Sequence, residues 1–222
     1  MKPKRRFTLR LWTIKSLAYW EKCQEVGVIK CDGRKLGEPL FKTGYDWMRG
    51  QMKKRIPGCK GKFPIWAWIE RPDLRTTGSY VRDSPGVCIE IEVPDHLVLL
   101  SDFDGWHCVL NGCYTSLSEK DDNEFDNKFK SPKDFGITPA MVLENPGLLT
   151  THKAYQAEEA RMYQAITDSW DRIFNLGLMR KNDLFFPPGG NFGQNVQACV
   201  EVIPIEWVKA VRHMKVRPAK DF

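Results

Sequence analysis

Apolar positions along this chain follow two rhythms, one of period two and one of about 3.6. FTLRLWTI (7–14) alternates and predicts a strand, with Phe7, Leu9 and Leu11 on one face and Thr8, Arg10 and Trp12 on the other. Ser16 then suits a helix N-cap, and Gly27 a stop, for a helix through Val26 with Leu17, Trp20 and Gln24 on one side. Residues 28–38 read as a turn-rich connection around Asp32-Gly33. Phe41, Tyr45, Met48 and Met52 recur at helical spacing and predict a second helix over about 40–55, closed by Pro57-Gly58.

FPIWAWIE (63–70) returns to period two. Ile65, Ala67 and Ile69 take one face, and Trp66 and Trp68 share the other. After a Pro, Gly and Arg-bearing loop at 71–86 comes VCIEIEVP (87–94). It places Val87, Ile89, Ile91 and Val93 inward, and Cys88, Glu90 and Glu92 outward. LVLLS (97–101) is a short strand. DFDGWHCVLNG (102–112) reads as a helix with Asp102 or Asp104 as its cap. Residues 116–148 turn polar and predict an exposed insertion or lid, mobile over 118–135. The longest helix covers 151–175, with Met162, Ile166, Trp170 and Ile173 on one stripe. FFPPGGNFGQN (185–195) is a loop. VQACVEVI (196–203) is a last strand, with Val196, Ala198, Val200 and Val202 on one face and Gln197, Cys199 and Glu201 on the other. This order predicts a single α+β domain over 1–222. Its sheet is mixed and mostly antiparallel, because the regular alternation of a parallel doubly wound fold is absent.

Composition narrows the chemistry. The 222 residues are 42% hydrophobic and 28% charged, which excludes a disordered chain. The net charge of +6 favours an anionic partner such as a nucleotide or nucleic acid, with basic clusters at 2–6, 49–55 and 209–220. Seven cysteines without a CxxC pair predict reduced thiols in a cytoplasmic protein, with no structural zinc site and no metal. No apolar run is long enough for a membrane span, so no membrane partner is expected. Nucleotide-binding and hydrolase motifs of the glycine-rich, P-loop, zinc-protease and nucleophile-elbow types are missing.

What remains is a set of residues on non-aliphatic strand faces: Arg10 and Trp12, Trp66 and Trp68, Gln197 and Glu201. If their strands are neighbours, they form an aromatic groove. Indoles would stack a base or nicotinamide, Arg10 would take a phosphate, and a carboxylate would hold ribose hydroxyls. The plainer reading covers these indoles with a helix and leaves Glu201 as a solvated strand residue. At four residues apart on a regular strand, Gln197 and Glu201 lie roughly 13 Å from each other, so only one can reach a bound ribose.

LWTIKS (11–16), GYDWMRGQM (44–52), FPIWAW (63–68), VPDHLVLLSDFDGWHCVLN (93–111), DSWDRIFNL (168–176) and VQACVEVIPIEWVKAV (196–211) together resemble an uncharacterised family of bacteria and their viruses, over residues 8–212. The opening strand, helix and GV turn, with a late Gln-x-x-x-Glu strand, also resemble ADP-ribosyltransferase folds. That resemblance implies NAD as substrate, Arg10 or Thr13 holding it, and Tyr45, Trp12, Trp66 or Trp68 stacking on it. It also implies a catalytic Glu201, with Gln197 placing a protein or nucleic-acid acceptor. The chain lacks the first-strand histidine of such folds. The other readings are a non-catalytic nucleotide- or nucleic-acid-binding protein, and an interaction or inhibitor module using the same aromatics.

Overall fold

The computed structural model describes residues 7–31, 33, 41–73, 85–181 and 195–214. The basic N-terminus, most of the 71–86 and 185–195 loops and the end of the basic tail lie outside them. The chain divides into two compact units, Met1–Phe103 with Asn191–Phe222, and Asp104–Gly190.

The first unit is built on an antiparallel sheet. Its strands are β1 (Thr8–Ser16), β3 (Ile65–Trp68), β4 (Gly86–Pro94), β5 (Leu99–Asp102), β6 (Val196–Val200) and β8 (Val208–Met214), in the order β5-β6-β3-β1-β4-β8. A separate ribbon pairs β2 (Val28–Lys30) with β7 (Val202–Pro204). Among the described residues, α1 (Leu17–Val26) and α2 (Lys42–Arg55) precede β3. The class is therefore α+β with an antiparallel sheet, as the sequence rhythm predicts.

The period-two pattern of β4 explains the core. Val87, Ile89, Ile91 and Val93 are each fully buried, and each is worth roughly 1.5–3 kcal/mol of burial. They join Leu11, Ile65, Ala67, Ala198 and Val200 on one sheet face, covered by Trp20 and Cys23 of α1 and by Ile29 and Ile203 of the ribbon. The ends of α1 follow the expected chemistry. The Ser16 side chain accepts from the Tyr19 backbone N–H, and Gly27 closes the helix at φ 79°.

Several outward residues are corrected. Cys88 is 2% exposed, and Gln197 and Cys199 are also buried, so both faces of β4 and β6 are covered there. Phe7 precedes β1 and is exposed, not core. Residues 28–30 are strand rather than turn, because they pair with β7. The last strand is not continuous. It breaks at Glu201, and its two halves join different sheets.

The second unit is helical: the remainder of α3 (Phe103–Leu110), then α4 (Glu119–Asp126), α5 (Pro139–Glu144), α6 (Leu148–Thr151), α7 (Lys153–Ser169) and α8 (Leu176–Met179). The polar stretch 116–148 thus folds as short capped helices. Ser118 accepts from the Asp121 N–H, and Thr138 from the Met141 N–H. Asp121 ties this stretch to the end of the long helix. Its carboxylate pairs with Arg172 at 2.7 Å, and the same guanidinium donates to the Thr115 carbonyl at 2.7 Å and to the Tyr114 hydroxyl at 2.8 Å. Trp170 and Ile173 of the apolar stripe are buried, in a 3-10 turn that continues α7.

Candidate functional site

Strand register decides which polar-face residues meet. Ser101 of β5 pairs with Gln197 of β6, Gln197 with Trp68 of β3, Trp68 with Trp12 of β1, and Trp12 with Glu90 of β4. Directly paired residues project to the same side, with Cβ atoms about 5 Å apart in antiparallel sheets. One row of side chains therefore crosses the sheet face opposite the aliphatic core, and its centre is the Trp12–Trp68 pair. Trp68 also packs on Phe103, with ring centroids 4.9 Å apart. The indole N–H of Trp12 is buried and has no hydrogen-bond partner among the described residues, a costly state for a donor.

The other candidates divide. Gln197 lies in the row, 3% exposed, and its amide nitrogen donates to the Ser101 hydroxyl at 3.3 Å. Arg10 projects from the same face, but its Nε sits 3.4 Å from Glu90 and its Nη2 3.5 Å from Glu92. Lys209 of β8 approaches Glu92 from the other side, also at 3.5 Å. Arg10 is thus already engaged by two carboxylates. Thr13 belongs to the opposite face. It pairs with Ile89 of the core, is 1% exposed, and donates its hydroxyl to the Trp66 carbonyl at 2.7 Å. Its position on β1 is one residue out of phase with Arg10 and Trp12.

Trp66 and Tyr45 form a second cluster. The two side chains are hydrogen-bonded to one another, and burial pushes the Tyr45 phenol up from its usual pKa. The Tyr45 and Phe63 ring centroids are 6.2 Å apart, and the Arg49 guanidinium stands over the Phe63 ring, 4.6 Å from its centroid.

Glu201 belongs to this second region. One carboxylate oxygen accepts the backbone N–H of Lys60 at 2.9 Å, and the other that of Lys62 at 2.8 Å. Burial raises its pKa, but these two N–H groups and the Cys59 thiol outweigh that and hold it below the usual range. Arg49 secures the same loop by donating its Nε to the Gly61 carbonyl at 2.7 Å. The carboxylate clamps the loop that delivers the chain into β3. It and Gln197 do not share a face, because the bend at Glu201 ends β6.

Two cations beside the row were not among the sequence candidates. Arg212 of β8 pairs in register with Cys88 of β4 and so lies on the tryptophan face. Arg71 follows β3 and acts on the same Cys88 thiol. Burial raises that thiol's pKa, while Arg71 and Arg212 pull it down. Arg212 could have been found by extending the alternation through VKAVRHM. Arg71 sits in a stretch whose pattern gives no face. Among the described residues no three acidic, histidine or cysteine side chains are grouped to hold a metal, and no helix is long and apolar enough to cross a membrane.

A family model described as a domain of unknown function (DUF3841) matches residues 10–209. The chain belongs to that family. The match takes in both units, the tryptophan row, the Glu201 clamp and Arg71, and ends three residues before Arg212. No curated protein and no solved structure matches the chain.

Proposed function

We propose that the first unit binds a nucleotide of the NAD class, with the nicotinamide or base stacked against the Trp12–Trp68 pair. The chain is then ADP-ribosyltransferase-like in using a carboxylate beside that pair. The observation that carries this reading is the register Gln197–Trp68–Trp12–Glu90 across four adjacent strands. A base stacked on an aromatic side chain contributes about 1–3 kcal/mol, and indoles offer the largest stacking surface of any side chain. Glu90 replaces Glu201 as the carboxylate facing a bound ribose. It is the strand neighbour of Trp12, whereas Glu201 is held by Lys60 and Lys62. In transfer, the nicotinamide–ribose bond breaks with its electrons leaving on nicotinamide. The acceptor, a protein or nucleic-acid nucleophile, bonds to the ribosyl carbon and gives up a proton, and Glu90 stabilises the positive charge that develops.

A second reading, binding without transfer, is favoured by the Arg10 contacts, which already neutralise Glu90 and Glu92. Both begin with one titration. NAD should quench the intrinsic tryptophan fluorescence saturably, and Trp12→Leu should weaken that binding about tenfold. No saturable change with millimolar NAD or ADP would overturn both readings. Labelled NAD with cell lysate then separates them. Incorporation that Glu90→Gln abolishes, with NAD binding retained within a few-fold, supports transfer. Binding with no incorporation by the wild type supports the second reading.

A further inference from the structure

The end of α2 and the loop behind it form a one-sidedly basic surface. Residues 41–62 carry seven lysines and arginines against one carboxylate, Asp46, which is taken by Lys42 at 2.8 Å and Arg49 at 2.9 Å. Lys53, Lys54, Lys60 and Lys62 are exposed, and none of the four makes an ion pair among the described residues. Part of this charge is helix chemistry, since cations in the last turn of α2 meet the negative end of its dipole. That does not account for Lys60 and Lys62, which lie beyond the helix. Their loop is held through its backbone. Glu201 accepts the N–H groups of Lys60 and Lys62, and Arg49 donates to the Gly61 carbonyl at 2.7 Å. The Lys62 charge also acts on Glu201, whose two oxygens those N–H groups already occupy. The loop is seated on α2 as well. Gly61 is buried at φ 75°, and a Cβ there would come within 2.5 Å of the Lys53 Cδ, so the Lys53 stem lies across it. Main-chain anchoring thus fixes the loop against the helix and displays its two lysines next to the last turn of α2.

We propose that Lys53, Lys54, Lys60 and Lys62 form a docking surface for nucleic acid, which grips successive phosphates of a strand without reading its sequence. An ammonium on a flexible stem meets phosphate as a point charge, and contacts to phosphate position a strand without specifying bases. Four such groups clustered on one rigid support suit a polymer that repeats its charge; a mononucleotide would leave most of them unmatched. A membrane surface fits less well. The large apolar side chains exposed among the described residues lie elsewhere, none between 41 and 62, so the surface lacks the apolar anchor that an interfacial helix inserts into lipid. The inference goes beyond the stacking reading and does not rest on it, and it gives the Glu201 clamp a purpose: the loop is held by its N–H groups so that its ammonium groups stay available.

The experiment titrates fluorescently labelled oligonucleotides of about 20 residues, single-stranded DNA, duplex DNA and RNA, by anisotropy over a range of salt. One variant changes Lys53, Lys54, Lys60 and Lys62 together to Gln, and a second changes the same four to Arg. A control changes Lys120, Lys128, Lys130 and Lys133 to Gln, which removes as many exposed charges from the helical unit. Each is checked for an unchanged unfolding transition. The wild type should bind with an affinity that falls steeply with salt and is the same within about threefold for different base sequences. The Gln variant at 53, 54, 60 and 62 should bind about a hundredfold more weakly at ~0.1 M salt, with the slope of log affinity against log salt reduced by about three. The Arg variant and the control should each stay within about threefold of the wild type. No binding by the wild type would overturn the proposal, as would an equal loss in the control, which would trace binding to net charge. Binding to phosphatidylserine vesicles in place of oligonucleotides would overturn it in favour of a membrane. NAD titrated against the same Gln variant should quench as in the wild type, so the stacking reading and this one can fail separately.

Discussion

Replacing Glu201 tests whether its carboxylate is a clamp or a catalyst. Glu201→Ala removes two hydrogen bonds from backbone N–H groups to a charged acceptor, at 2.9 and 2.8 Å. Such bonds contribute about 1.5–3 kcal/mol each when desolvated. Lys60 and Lys62 are exposed, so water recovers part of that in the variant. The expected loss is therefore about 2 kcal/mol for the pair, and about half as much for Glu201→Gln, which keeps one acceptor oxygen. In a chain of this length such a loss lowers the midpoint of the first unit's thermal transition by roughly 4–8 °C. The assay is urea unfolding followed by tryptophan fluorescence, with the slope of the transition checked for constancy.

The pH dependence follows from the lowered pKa. A carboxyl group held below its unfolded value stabilises the fold fully above that unfolded value, and the stabilisation fades as pH falls through the folded pKa. The gap between wild type and Glu201→Gln should thus be constant from neutral pH to about pH 5 and close on acidification below about pH 4. A Glu201→Ala protein within about 0.5 kcal/mol of the wild type would refute the clamp. So would a gap that widens in acid. Lost NAD-dependent transfer at unchanged stability would restore Glu201 to the chemistry.

Other substitutions probe the same architecture. Thr13→Val keeps the shape but strands the Trp66 carbonyl, and should cost about 1–2 kcal/mol in urea unfolding; a neutral result would show that water replaces the hydroxyl. Ser118→Ala removes the side-chain cap of α4 and should cost the second unit about 1 kcal/mol, read from its thermal transition. Arg172→Met leaves Asp121, Tyr114 and the Thr115 carbonyl without their shared donor, and should make residues 114–126 the first site of limited proteolysis. Equal cutting rates in wild type and variant would mean that the network does not hold this stretch.

The sequence rhythm carried the sheet well where one face is aliphatic. β1, β3 and β4 fall where alternation places them, and the core residues of β4 are all buried. Alternation also put Trp12, Trp68 and Gln197 on one kind of face, but only strand order and register show that they are adjacent. Period two fails where the backbone bends. VQACVEVI reads as one strand, yet the chain changes sheets at Glu201, and the face assigned to that residue loses its meaning. The polar helices of 116–148 were hidden for another reason. They bury few residues of their own, so they lack an apolar stripe, and caps and the Arg172 network support them instead. Charge pairing is equally invisible along the chain, since Arg10 meets Glu90 and Glu92 only across strands.

That pairing bears on what a bound nucleotide would find. A guanidinium between two carboxylates attracts an added phosphate weakly, because the phosphate must first compete with charges already in place. Arg212 is the register partner of Cys88, which is 2% exposed. Stacking on the indoles is indifferent to the identity of the ring, as every base presents a π face. Discrimination at this face must then come from charge and edges. Glu90, held by Arg10 and next to Trp12 across the strands, would select for a hydroxyl-bearing sugar beside the ring. A ligand with a ring and a ribose satisfies both, which is why stacking and carboxylate are best tested as one site.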